Sequence, residues 1–301
     1  MPSLLERLPP GARVLLVRLR SLGDCVLTTP AIHLLKRHRP DLEIGIMVEP
    51  RFAGIYEDNP DLGAVLPPSK RAALAFRPRL TLNLHGGPTS AVLTLASLAR
   101  WRAGFAHYKT GWAHNVKIPR AQQILGEERK VHTAEHVASA MFFLGVPPAE
   151  IPRARLFAPP PKEQTPCLVL HPFASAPGKA WPADRFAAAA HALALGREVV
   201  VLAGPGDDTA PFRQFTVLAA APLRTVKQAL QRATLFLGND SGPAHMAAAF
   251  GVPSVVLFGT SDPVVWAPWR TRARVLSAPE GLASIAVERV LAAATELEAE
   301  P

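Results

Sequence analysis

The stretch from residue 235 to 258 restricts the fold most. Leu235, Phe236 and Leu237 form a short apolar run, and Gly-Asn-Asp240-Ser-Gly-Pro-Ala-His245 follows it. Residues 244–250 are strong helix formers, and Gly251 and Pro253 end that helix before a second apolar run at 254–258. Two such runs joined through a helix pair as parallel strands, because antiparallel neighbours would be linked by a tight turn. At the strand-to-helix turn, Asp240 or Ser241 can cap the helix and Gly242 lets a ligand approach the backbone. Its free N–H groups and the positive end of the helix dipole suit a diphosphate, with the His245 imidazole one turn in. An ordinary capped helix would carry the same residues.

Strand-like and helix-like segments alternate along the whole chain, which implies parallel sheets with crossover helices. Strands are expected at 14–19, 44–48 and 80–84, then at 168–170, 199–202, 235–237 and 255–258. Helices are expected at 30–38, 89–101 and 133–144, then at 183–195, 209–218 and 223–232. Between residues 146 and 166, Pro147, Pro148, Pro152, Pro159, Pro160, Pro161 and Pro166 make a stiff, poorly helical connector. The expectation is an α/β protein with two Rossmann-like domains, residues 1–158 and 159–301, whose parallel sheets face each other across a cleft. The last helix is expected to pack back on the first domain. A chain of 301 residues, 49% of them hydrophobic, can bury two such cores.

No apolar run reaches the roughly 18 residues of a membrane span, and residues 1–10 do not read as a secretory signal. Cys25 and Cys167, far apart in apolar company, read as reduced packing residues, so the expected location is cytoplasmic. The formal charge of +9 is unevenly spread: residues 1–150 hold 19 Lys and Arg against 12 Asp and Glu, residues 151–301 hold 14 against 12. No basic stripe with interleaved aromatics and no zinc-finger spacing accompanies that excess, which argues against nucleic acid as partner. An anionic acceptor or membrane surface suits it better, with Arg18, Arg20, Lys36, Arg37, Arg39 and Arg102 as candidates.

The first half has its own strand-end turn, Arg18-Leu-Arg-Ser-Leu-Gly-Asp24-Cys-Val-Leu-Thr-Thr-Pro30. Open α/β sheets bind ligands at that edge. Pro30 is expected in the first turn of a helix capped by Thr28 or Thr29. Asp24 is then either a helix cap or a general base facing an attacking hydroxyl. After the first strand of the second half comes His171-Pro-Phe-Ala-Ser175-Ala-Pro-Gly-Lys179-Ala-Trp181-Pro182. There a lysine ammonium can neutralise a departing diphosphate, Ser175 adds a donor, and Trp181 reads as a hydrophobic anchor. Asp207 or Asp208, following Ala-Gly-Pro-Gly206, either accepts from a ribose or closes a turn. His85-Gly-Gly87 closes another strand and reads as structural. No His, Asp and Glu cluster has metal-ligand spacing, so no metal is expected.

These motifs, together with Phe-Gly-Thr-Ser-Asp262-Pro-x-x-Trp266, resemble those of the ADP-heptose:lipopolysaccharide heptosyltransferases, glycosyltransferase family 9, of GT-B fold. The resemblance spans nearly the whole chain. It implies that Asp24 is the catalytic base, that Ser175 and Lys179 contact the diphosphate, and that Asp240, Ser241, Gly242 and His245 bind the nucleotide sugar. It further implies a donor-side acidic residue that is commonly Glu; Asp207 stands there. The implied reaction is inverting, free of metal and other cofactors, and moves heptose from ADP-heptose to the anionic, glycolipid core of lipopolysaccharide, with peripheral contact to the inner membrane. A nucleotide-sugar epimerase, a nicotinamide-dependent dehydrogenase and a non-catalytic sugar-binding module are the rival readings. The dehydrogenase lacks its Gly-x-Gly-x-x-Gly after the first strand.

Overall fold

The computed structural model describes residues 2–162, 164–174 and 180–300. Contacts divide the chain into two compact units, Met1–Pro152 and Arg153–Pro301, so the division falls inside the Pro-rich connector, six residues before the expected one.

Unit 1 has strands β1 (Arg13–Val17), β2 (Glu43–Met47), β3 (Ala64–Leu66), β4 (Leu80–Asn83), β5 (Trp101–Phe105) and β6 (Val116–Ile118), all paired in parallel in the order β3-β2-β1-β4-β5-β6. Its helices are α1 (Leu22–His38), α2 (Lys70–Phe76), α3 (Pro88–Ala96), α4 (Ala121–Leu125) and α5 (Thr133–Leu144). Alternate residues of β1 serve opposite faces. Leu15 and Val17 pack with Met47, Ala73, Phe76 and Leu93 beneath α2 and α3, which leaves Val14 and Leu16 for the other face.

Unit 2 has β7 (Cys167–His171), β8 (Glu198–Ala203), β9 (Thr216–Ala219), β10 (Ala233–Asn239), β11 (Ser254–Leu257) and β12 (Ala273–Leu276), again all parallel, in the order β12-β11-β10-β7-β8-β9. Its helices are α6 (Ala183–Ala194), α7 (Leu223–Gln231), α8 (Gly242–Phe250), α9 (Pro263–Trp266) and α10 (Val287–Ala299). Counted from its own first strand, unit 2 repeats the order of unit 1. Strand order reverses at β1/β4 in the one and at β7/β10 in the other, and such switch points open crevices beyond the carboxyl ends of their strands. The last helix, α10, lies on α6, β11 and β12, with Val290, Ala293, Ala294 and Leu297 buried.

Two expectations are corrected. Residues 209–218 are not a helix: a single 3-10 turn, Ala210–Phe212, leads into β9. Helix α1 starts at Leu22, with Ser21 as N-cap, so Pro30 lies in its interior and not in its first turn. A proline there leaves the carbonyl four residues back without its N–H. That carbonyl belongs to Val26, and the Thr29 hydroxyl donates to it at 2.8 Å. Thr29→Val is therefore expected to lower unit 1 stability by about 1–2 kcal/mol in urea titrations, and by less when Pro30→Ala restores the backbone donor.

Candidate active site

Both switch points carry the polar turns that the sequence singled out. In unit 1, β1 leads into the first turn of α1, and Asp24 sits there as the third helical residue. Its Oδ2 accepts from the Ser21 amide at 3.2 Å and from the Ser21 hydroxyl at 3.0 Å. Its Oδ1 accepts from Arg18 Nη1 at 3.1 Å. Capping and presentation of the carboxylate thus coincide. A carboxylate has about four lone-pair sites, so three donors leave one for a further proton donor. The Asp24 side chain keeps 22% of its surface exposed, against 8% for Arg18. Arg18 is therefore a partner of Asp24, and its buried Nε has no partner among the described residues.

Three other basic candidates also serve the fold. Lys36 donates to the carbonyls of Pro40 and Leu42, Arg39 pairs with Asp41, and Arg102 donates to the carbonyls of Ala99 and Ala113. Arg20 and Arg37 stay exposed.

Sequence reasoning missed the aromatic wall beside Asp24. His136, from α5, stacks on the Phe105 ring at 4.1 Å, while His107 and Tyr108 lie within 5.6 Å of Phe105. These residues belong to different elements and form no linear motif. Burial, His107 and Arg18 push the His136 imidazole down to about 4. Burial and the cations of Arg18 and Arg20 also lower His85, at the end of β4. Asn83 fixes that turn by accepting from the His85 and Gly86 amides at 3.0 Å each. Tyr108 packs so tightly on Gly86 that a Cβ there would lie 2.8 Å from its ring. Burial pushes the Cys25 thiol up to about 12, which leaves no reactive thiolate beside Asp24.

In unit 2, Ser241 is the N-cap of α8, and its buried Oγ has no partner among the described residues. An orphaned hydroxyl at a helix N-terminus is a place where an anionic ligand supplies the missing bond. Asp240 continues the ladder, its amide donating to the Leu257 carbonyl at 2.9 Å, and Gly242 opens the helix. His245 is buried in the next turn, with its ring 6.2 Å from that of Trp266. Ser175 and Lys179 lie outside the described residues.

The described residues on either side of Ser175 and Lys179 are held by a residue that sequence reasoning passed over. Asn239, fully buried at the end of β10, donates to the Pro172 carbonyl at 2.8 Å and accepts from the Trp181 amide at 3.0 Å. The Trp181 indole donates to the Ile285 carbonyl at 2.9 Å and meets Phe186 edge-on, so Trp181 itself is fixed in the core of unit 2. Asp207 closes its turn, Oδ2 accepting from the Gly204 amide at 2.7 Å, and Asp208 accepts from the Ala210 amide. No cluster of three or more potential metal ligands occurs among the described residues.

Paired Rossmann-like units, with polar turns beyond the carboxyl ends of their central strands, are the architecture of GT-B glycosyltransferases. The model of glycosyltransferase family 9 (heptosyltransferase) matches residues 79–291, and the chain belongs to that family. Lipopolysaccharide heptosyltransferase 3 of Escherichia coli is 28% identical to it over 291 residues, covering 82% of this chain and 83% of the relative. A family 9 glycosyltransferase from Veillonella parvula superimposes with a TM-score of 0.82 at 22% identity, covering 95% of this chain and 97% of the other. E. coli heptosyltransferase WaaC with ADP-2-deoxy-2-fluoro heptose does so at 0.75 and 20% identity, covering 94% and 99%.

Two outcomes follow from this geometry. Asn239→Ala strands the Trp181 amide and the Pro172 carbonyl, so unit 2 should lose about 2–4 kcal/mol in chemical denaturation. His136 is neutral when folded but protonates near 6.5 when unfolded, so the unfolded state binds more protons between the two values. Unit 1 is then expected to lose about 2 kcal/mol as pH falls from about 6.5 toward 4, and His136→Phe should flatten that part of the stability profile.

Proposed function

We propose that this enzyme transfers a heptose from ADP-heptose to the anionic, phosphorylated core of lipopolysaccharide, in one displacement that inverts the anomeric carbon. The observation that carries the reading is the Asp24 carboxylate, oriented by Arg18 and Ser21 at the strand-order reversal of unit 1 with one acceptor site to spare. Asp24 takes the proton of the acceptor hydroxyl as its oxygen bonds to the anomeric carbon, and the bond to the ADP β-phosphate oxygen breaks on the opposite face. Charge then builds on the departing diphosphate. The amides at the start of α8, the Ser241 hydroxyl, Ser175 and Lys179 stabilise it, so no divalent metal is required. Asp240, Gly242 and His245 hold the nucleotide sugar, and Asp207 contacts its sugar or ribose.

Support for the donor comes from the family, and from a structural neighbour whose structure holds an ADP-heptose analogue. Support for the acceptor comes from the curated relative and from the basic excess of residues 1–150. No helix among the described residues is long and apolar enough to cross a membrane. In this reading the glycolipid acceptor is met by peripheral contact with the inner membrane on its cytoplasmic side.

Asp24→Asn is expected to cut kcat about a hundred- to ten-thousand-fold while the thermal shift given by ADP-heptose is retained. Full transfer activity in that variant would remove the base. Turnover should also persist in excess EDTA, and ADP-sugars, but not UDP- or GDP-sugars, should raise the melting temperature. Loss of turnover that Mg²⁺ restores would refute the metal-free mechanism.

A further inference from the structure

The amino-terminal edge of the first sheet, opposite the one that carries Asp24, holds a basic pocket with no part in the proposed transfer. Its volume is about 400 Å³, and its lining is Arg7, Leu8, Pro9, Arg79, Arg100 and Trp101. The fold itself gathers these residues. The Arg79 amide donates to the Arg13 carbonyl at 2.8 Å and the Trp101 amide to the Arg79 carbonyl at 3.1 Å, so the entries to β1, β4 and β5 are adjacent. Arg39 pins the short helix Leu5–Arg7 against them through the carbonyls of Leu5 and Leu8.

The chemistry of this pocket is one-sided. No carboxylate lines it, and none of the three guanidinium groups has an acidic partner among the described residues. Most other arginines of unit 1 with side-chain bonds are held: Arg13 by Glu43, Arg18 by Asp24, Arg39 by Asp41, Arg51 by Glu49 and Arg129 by Glu135. Arg100 instead lies over the Trp101 ring at 5.3 Å, and Arg7 Nε donates only to the Pro2 carbonyl. Three exposed guanidinium groups line one pocket, and a di- or monoanionic phosphoryl group matches them with charge-assisted, bidentate hydrogen bonds. Beside Arg100, Leu98 projects into solvent with 73% of its surface exposed.

We propose that this pocket binds a phosphoryl group carried on a small alcohol, either as a lipid headgroup or as a free phosphate ester. Strands of four or five residues, at about 3.3 Å each, put it roughly 15 Å from the Asp24 edge, so it is a second anion site and not an extension of the first. The inference stands apart from the heptosyl-transfer reading, because its test uses neither donor nor acceptor sugar.

The full chain is mixed with sn-glycerol 3-phosphate in calorimetry, and in parallel floated with vesicles of phosphatidylcholine with or without phosphatidylglycerol. Binding to glycerol phosphate alone assigns a free ester; binding to the phosphatidylglycerol vesicles, and not to phosphatidylcholine alone, assigns a headgroup. In either case R79Q/R100Q is expected to weaken binding about tenfold or more, and R71Q/R224Q, which removes the same two charges from exposed positions outside the pocket, should leave it unchanged. Arg79 and Arg100 are exposed, so both variants should melt at the parent temperature. No binding to either probe, or equal losses in the two double variants, would overturn the proposal.

Discussion

Parallel pairing is the constraint from which the architecture follows. A parallel strand cannot return by a tight turn, so every connection must cross a face of the sheet, and helices accumulate on both faces. Where consecutive crossovers go to opposite faces, strand order reverses and the loops beyond the two central strands part. This occurs at β1/β4 and at β7/β10. The candidate polar residues of each unit lie on those loops, and the apolar centres of the same strands are buried. Chemistry and core are thereby separated along the length of a strand of only a few residues.

The candidate residues of each unit are held by a different device. In unit 1 an arginine and a serine fix the carboxylate of Asp24, and burial and nearby cations lower the pKa of the His85 and His136 imidazoles. In unit 2 one amide side chain, Asn239, binds both Pro172 and Trp181, between β7 and α6, and spares them other partners. Gly238 belongs to the same arrangement, since a Cβ there would lie 2.8 Å from the His171 carbonyl oxygen and force β10 away from β7. One buried amide thus fixes two segments distant in sequence at little conformational cost.

The buried strands were legible because they are continuous apolar runs: β1, β2, β4, β7, β8, β10 and β11 all lie within two residues of their expected spans. The edge strands β3, β6, β9 and β12 are only three or four residues long and incompletely buried, so the apolar run of β3 and the alternation of β6 are too short to stand out from the flanking loops. Residues 209–218 show why a helical pattern alone misleads: Phe212 and Phe215 are spaced for a helix, yet tertiary packing draws the following residues into β9. At the site, Asp24 and Ser241 could be picked out because strand ends with Gly and a capping residue leave a local signature. The Arg18–Asp24 pair could be placed near the turn, but not oriented. The Asn239 bridge, which joins residues 58 and 67 apart in sequence, left no local trace.

The interior proline of α1 has an evolutionary consequence. Pro30 takes away a backbone donor, and the hydroxyl of its preceding neighbour supplies another to the same oxygen. Loss of the hydroxyl while the ring remains strands a carbonyl inside a helix packed on α5. Loss of the ring first makes the hydroxyl dispensable. Descendant lineages are therefore expected to abandon the proline before the threonine, a directional epistasis that an alignment of close relatives would display as Thr without Pro far more often than Pro without Thr.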